Sequence, residues 1–271
     1  MRRTITGFSN PTVKFLRSLR EKKHRKVEQR FLAEGLRLLT EAREGGRLPE
    51  MLVMAATRQA HPLLDALEAD VAAAGGEILE MDEAILAKVT GKDNPQSVCG
   101  VFAEFSTSLA VIDRCAAPIW LVAQAMRDPG NLGTLLRTGD AVGAGGLILL
   151  DDCADPFSVE AVRASMGAIF TQRLAQASWE EFIGWLRQGG KEHGGQLIGA
   201  SLRNAQPYRD APYIAPCFIM VGNESRGLPQ DYEDACDLRV TIPMLGRADS
   251  LNAAVAAAVL AYEVRARLGR G

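Results

Sequence analysis

Three short polar stretches hold the side chains best suited to chemistry. Arg127-Asp128-Pro129-Gly130-Asn131-Leu132-Gly133, with Arg137-Thr138 just behind it, is the first; Gly222-Asn223-Glu224-Ser225-Arg226-Gly227-Leu228 is the second. The third runs Gly246-Arg247-Ala248-Asp249-Ser250 into Leu251-Asn252-Ala253-Ala254. Together they offer guanidinium, carboxylate, carboxamide and hydroxyl groups among glycines, a set that can hold a polar ligand and stabilise a developing oxyanion. Metal chemistry is not expected. His24, His61 and His193 lie far apart, no H-E-x-x-H occurs, and the five cysteines are widely spaced without a C-x-x-C pair.

Each stretch needs an element to position it, and each follows an apolar run too short for a helix. Ile119 to Gln124 precedes the first, Phe218 to Val221 the second and Leu238 to Ile242 the third, and all three read as buried strands. Strands that end in such loops place them at one edge of a parallel sheet, where open α/β sheets bind ligands. Asp249 or Ser250 reads as the cap of an alanine-rich helix from Leu251 to Leu268, and Asn131 also reads as a helix cap.

In their order and spelling the three stretches, with Ile242-Pro243-Met244, resemble the motifs of the SpoU-type (TrmH-like) RNA 2′-O-ribose methyltransferases of the SPOUT superfamily. The resemblance implies an α/β fold: a carboxy-terminal α/β-knot methyltransferase domain preceded by a smaller, ribosomal-protein-like α/β domain. It implies S-adenosylmethionine as cofactor and a homodimer with the active site at or near the interface. It assigns Arg137 the leading catalytic role, with Asn131, Glu224, Ser250 and Asn252 completing the constellation. Gly222, Ile242 and Leu251 line the cofactor pocket, with Met220, Met244 and Ala253 as neighbours; strand and helix packing is the alternative reading of Ile242 and Leu251. A guanidinium stays protonated far above neutral pH, so Arg137 is expected to bind phosphate and favour an alkoxide-like transition state instead of acting as a base. The expected substrate is ribosomal RNA of the large subunit; transfer RNA is the nearest alternative, and a non-catalytic RNA-binding protein is a different class of reading.

Composition agrees with a globular protein: 271 residues, 47% hydrophobic. The formal net charge of −2 hides an asymmetry, because residues 1–30 carry ten basic residues against Glu21 and Glu28. Asn10-Pro11 opens a segment over residues 11–30 in which Val13, Leu16 and Leu19 recur at helical spacing. It reads as one basic amphipathic helix whose Lys22, Lys23, Arg25 and Lys26 face RNA. Domain boundaries follow at 1–106 for an RNA substrate-binding domain, 107–117 for a linker and 118–271 for the methyltransferase domain. Within the first domain, Phe31-Leu32-Ala33-Glu34-Gly35 and Asn94-Pro95-Gln96 resemble family landmarks, with Ser97 where glycine is usual. Gly143-Ala144-Gly145-Gly146 follows a helix and precedes a strand, the reverse of a dinucleotide-binding loop, and no P-loop string exists. No signal-peptide core or membrane-spanning stretch is seen, so a cytoplasmic location is expected.

Overall fold

The computed structural model describes residues 2–188 and 194–269; His193 lies outside them. By its contacts the chain forms two compact units, residues 1–105 with 155–171, and residues 106–154 with 172–271. The sequence places 155–171 with the second domain; it packs in the first unit instead.

The first unit opens with β1 (Arg2–Ile5), α1 (Pro11–Ser18) and α2 (Lys22–Glu28), followed by β2 (Arg30–Glu34) and α3 (Leu36–Glu44). Then come β3 (Met51–Ala55), α4 (Pro62–Ala73), β4 (Glu77–Met81), α5 (Glu83–Thr90) and β5 (Val98–Ala103). The strands form one mixed sheet in the order β1-β4-β3-β5-β2, with β5 antiparallel to both neighbours. Helix α1 starts where the Asn10 side chain accepts the Thr12 N–H at 2.9 Å, and its Val13 and Leu16, with Leu19 just beyond, are fully buried over the sheet.

The single helix expected over 11–30 is in fact two. Glu21 is extended between them, and the break lets Arg25 reach back to donate to the Leu19 carbonyl at 2.8 Å, satisfying an acceptor that α1 leaves open. Arg25 is 2% exposed and pairs with Asp155 through Nη2 at 2.6 Å and Nε at 3.1 Å. That pair and an aromatic cluster hold 155–171 in this unit: Phe157 and Phe170 sit 5.0 and 6.0 Å from Phe31, ring to ring.

The expectation that Arg25 faces RNA is therefore corrected, since its charge is buried and paired within the unit. Arg2, Arg3 and Arg30 are likewise paired, with Glu68 and Glu80, Glu77, and Glu50, and Lys23 lies 3.1 Å from Glu21. Lys14, Arg17, Arg20, Lys22 and Lys26 stay exposed, with no ion pair among the described residues.

The second unit runs β6 (Ile119–Gln124), α6 (Pro129–Val142) and β7 (Gly146–Leu150), and the chain then supplies α7 (Val159–Ala164) and α8 (Ala168–Thr171) to the first unit. It continues with β8 (Arg173–Ala177), α9 (Trp179–Arg187), β9 (Gln196–Ala200), β10 (Gln206–Pro207) and β11 (Cys217–Val221). It ends with α10 (Gln230–Ala235), β12 (Leu238–Thr241) and α11 (Ala253–Leu268). All strands are parallel, in the order β10-β12-β9-β11-β6-β7-β8. The central strands β6, β7 and β11 are buried throughout, as expected for a sheet covered on both faces. One face packs Trp120, Val122, Phe218 and Met220 against Phe182 and Leu186 of α9; helix α11 packs on α6, β11 and β6. Gly143, at φ +68°, caps α6 in the left-handed conformation that glycine adopts without strain. The glycine run is thus a helix stop.

Two outcomes follow for the first unit. Arg25→Met leaves the Asp155 carboxylate without its partner and lowers the unfolding free energy in urea by about 3 kcal/mol, most of which Arg25→Met with Asp155→Asn regains. Burial, reinforced by the Asp155 charge and opposed by Arg25, pushes the Glu104 carboxyl up from 4.5 to about 7. The folded state holds that proton longer than the unfolded chain, so the stabilisation is complete below pH 4.5 and lost as pH rises through about 7. Glu104→Gln flattens the melting temperature over that window.

Candidate functional site

Because the strands of the second unit are parallel, the segments after β6, β9, β11 and β12 emerge at one sheet edge. A cavity of about 580 Å³ opens there. Its walls are residues 200–203, 221–228 and Glu233, together with Val240 to Ile242, Met244, Asp249 to Leu251, Ala253, Ala256 and Leu260. Apolar and polar side chains both line it, and the volume falls within the range of small-molecule sites.

The loop after β11 is closed on itself. A side chain at Gly222 would meet the Gly227 backbone at 2.3 Å, Asn223 bridges to Gly227, and the Asn223 Oδ1 accepts from Ser225 and Arg226 N–H groups at 3.0 and 3.2 Å. Asn223 Nδ2 also donates to the Ala125 carbonyl at 2.8 Å, tying the loop to the segment after β6.

At the rim the three stretches meet. The Glu224 carboxylate accepts from Asn131 Nδ2 at 3.1 Å and, more distantly, from the Arg127 and Asp128 backbone N–H groups at 3.5 and 3.4 Å. Asn131 Oδ1 accepts from Asn252 Nδ2 at 2.9 Å, and Asn252 Oδ1 accepts from Ala254 and Val255 N–H groups at 2.9 and 3.2 Å. A relay therefore runs from the start of α11 through two amides to a carboxylate.

The caps differ from expectation. Asn252 caps α11, not Asp249 or Ser250, because that loop stays non-helical along the cavity as far as Leu251; Asp128 Oδ1 caps α6 by accepting the Asn131 N–H at 2.7 Å, which frees the Asn131 side chain for the relay.

Of the residues singled out in the sequence, Gly222, Glu224, Ile242, Met244, Ser250, Leu251 and Ala253 line the cavity. Asn131 and Asn252 join Glu224 through the relay. Met220 does not reach the cavity: side chains alternate across a strand, so Val221 faces the cavity while Met220 packs with Trp120 and Phe218. Arg137 does not line it either. It is exposed on α6, and its side chain has no hydrogen bond or ion pair among the described residues. It lies six helical steps from Asn131, about 9 Å along the axis and well round the cylinder. Sequence reasoning missed Asn223 as the loop anchor, and Ser201, Arg203 and Glu233 on the cavity wall; the end of a strand at the ligand edge, Ala200-Ser201, was the signal for the first of these.

Among the described residues no group of His, Cys, Asp or Glu could hold a metal ion. Burial pushes the thiols of Cys99, Cys217 and Cys236 up to about 12 and that of Cys153 up to about 11, so these four do not supply thiolates near neutral pH.

The relay makes one prediction. Asn131→Asp sets a second carboxylate against Glu224 and lowers the unfolding free energy by about 1 kcal/mol. Adding Glu224→Gln regains most of it, because the glutamine donates where the asparagine did. A thermal-denaturation double-mutant cycle measures this.

Comparison with known proteins places the chain in a family. Residues 118–262 match the model of the SpoU rRNA Methylase family and residues 10–100 that of the MRM3-like substrate binding domain. The chain is 32% identical over 262 residues to the 23S rRNA (guanosine(2553)-2′-O)-methyltransferase RlmP of Bacillus subtilis (strain 168), covering 96% of this chain and 98% of the relative. Its structure is similar to the AdoMet-bound rRNA methyltransferase from Sinorhizobium meliloti, with a TM-score of 0.89, 36% identity and 98% of each chain covered. It is also similar to the SpoU methyltransferase AviRb from Streptomyces viridochromogenes in complex with the cofactor AdoMet, with a TM-score of 0.86, 27% identity, and 97% and 99% covered. The α/β architecture, a parallel-sheet SPOUT domain following a smaller α/β domain, is that of these neighbours, and the chain belongs to the SpoU rRNA methylase family.

Proposed function

We propose that this protein methylates the 2′-oxygen of a ribose in ribosomal RNA, of the large subunit, using S-adenosylmethionine. The observation that carries the reading is that seven of the motif residues line one cavity and Asn131 and Asn252 join it through Glu224, in a chain alignable over 96% of its length with a 23S rRNA 2′-O-methyltransferase. The cavity fits the cofactor in size and in character, with apolar side chains for a purine and polar ones for its charged end. When bound, S-adenosylmethionine supplies a methyl group on a sulfonium. Gly222, Ile242, Met244, Leu251 and Ala253 then shape its pocket, and the loop backbone approaches closely because Gly222 carries no side chain. Glu224, Asn131 and Asn252 are positioning residues that hold the β11 loop, α6 and α11 in register. Ser250 lines the cavity, and in this reading its hydroxyl orients substrate or cofactor.

Arg137 binds the target phosphate and stabilises the developing alkoxide, with the proton leaving to solvent. It stands outside the cavity of its own chain. The reading is therefore a homodimer in which Arg137 of one copy serves the cavity of the other, and exposed apolar residues Val255 and Tyr262 of α11 support a second copy nearby.

The first unit contributes RNA affinity through Lys22, Lys23 and Lys26, joined by Lys14, Arg17 and Arg20. A cytoplasmic location follows from the substrate; among the described residues no helix is long and apolar enough to cross a membrane.

Methyl transfer from labelled S-adenosylmethionine to unmodified rRNA and tRNA transcripts, followed by alkaline hydrolysis, tests the function. A methylated 2′-oxygen cannot cleave the neighbouring phosphodiester, so the expected result is label in alkali-resistant dinucleotides from rRNA. Label in mononucleotides would mean base methylation, and label in tRNA alone would move the substrate. Replacing Lys22 and Lys26 with alanine weakens RNA binding and lowers the slope of log affinity against log salt by about 0.7–0.9 for each phosphate no longer neutralised; an unchanged slope removes α2 from the RNA interface.

A further inference from the structure

The last turn of α2 is fastened to a carboxyl that its charges leave unbalanced. Gln29, left-handed at φ 53°, ends the helix by donating its N–H to the Arg25 carbonyl at 2.6 Å, and its own carbonyl accepts the Glu104 N–H at 2.8 Å. The Gln29 side chain donates to the Lys26 carbonyl at 2.8 Å, which closes the same turn. Arg25 leaves that turn inward and gives Nε and Nη2 to Asp155, while Lys26 leaves it outward and is exposed. Lys22 stands four residues before Lys26, on the same side of the helix.

Three charged groups bear on Glu104: Asp155 from the segment before α7, and Arg25 and Lys26 from α2. Its partly buried carboxyl accepts no hydrogen bond among the described residues. Asp155 already holds the buried guanidinium, so one cation stands between two carboxyls and a negative charge is left over when both ionise. Burial and the Asp155 charge push the Glu104 carboxyl up to about 7, and Arg25 and Lys26 oppose them. A phosphate seated on Lys26 cancels a charge that favours the ionised carboxyl and brings a negative charge near it. The RNA-bound protein therefore keeps the proton to a higher pH than the free protein. Linkage is reciprocal, so the proton strengthens RNA binding as much as RNA strengthens the hold on the proton. Affinity is then complete below the free protein's value, falls as pH rises through it, and levels off once the complex has ionised as well.

We propose that Glu104 makes RNA binding by α2 proton-linked: the first unit takes up a proton when RNA docks on Lys22 and Lys26, and it holds RNA more weakly once that carboxyl ionises. This rests on the RNA reading of α2 above and adds a means of regulating it.

Binding of an unmodified large-subunit rRNA transcript at fixed salt, measured from about pH 6 to about pH 8, tests it. The protein carries His24→Gln, which removes the histidine of α2 as a second source of pH dependence. Affinity is expected to weaken about threefold over that range, and adding Glu104→Gln is expected to make it flat. Calorimetry in buffers of different ionisation enthalpy reads the same linkage as proton uptake near pH 7, present with His24→Gln and lost when Glu104→Gln is added. Melting curves confirm folding, and if the double variant fails to fold, proton uptake by His24→Gln alone decides. Affinity that does not change with pH, binding without proton uptake, or a pH dependence that survives Glu104→Gln would each overturn the proposal. A wild-type protein that binds no RNA at any pH sinks the RNA reading and the linkage with it, whereas binding that ignores pH sinks the linkage alone.

Discussion

The site depends on the direction of two carboxamides. Glu224 can only accept and the N–H groups that open α11 can only donate, so the amides between them have one consistent orientation: Asn252 takes the helix donors on Oδ1 and passes a donor to Asn131, which passes its own to Glu224. Reverse either amide and two acceptors or two donors face each other. Three segments far apart in the chain, at Asn131, Glu224 and Asn252, are thereby held in register by a few weak bonds whose geometry is mutually dependent.

What makes those bonds achievable is the parallel sheet beneath. Its strands carry the segments after β6, β9, β11 and β12 to the same edge, and two layers of helices keep the strands dry. Strand alternation then sorts neighbours with no regard to chemistry: Val221 looks into the cavity and Met220 into the core. Gly222, which follows directly, closes the loop on Gly227 so tightly that no side chain fits, and the polar loop begins there.

Much of this was legible in the sequence, and the failures have common causes. Short apolar runs ending in glycine-bearing loops identified β6, β11 and β12, because burial on both faces leaves an unmistakable composition. The Glu224 and Asn252 neighbourhoods were legible as motifs. Met220 was misplaced because a motif string carries no phase; only the register of β11 shows which residue faces the cavity. Arg25 looked like one more cation in a basic run, since its partner Asp155 is far along the chain and the break at Glu21 that turns it inward leaves no local signature. The same long-range pairing hid the membership of 155–171 in the first unit. Glu233 was invisible for a related reason: in sequence it is one acidic residue among several on α10, and only folding makes it the buried one.

The relay settles one chain's cavity, and Arg137 then stands apart from it. The central claim is that the reacting site is divided, with the cavity from one copy and Arg137 from the other. Mixing two inactive variants tests this most directly: Arg137→Ala, which keeps the cavity, and Ala253→Phe, which blocks the cavity and keeps the arginine. After subunit exchange, hybrids that regain methyl transfer to rRNA would bear out the division, because one intact cavity then meets one intact arginine. Hybrids that form and stay inactive would contradict it and place Arg137 in service of its own chain.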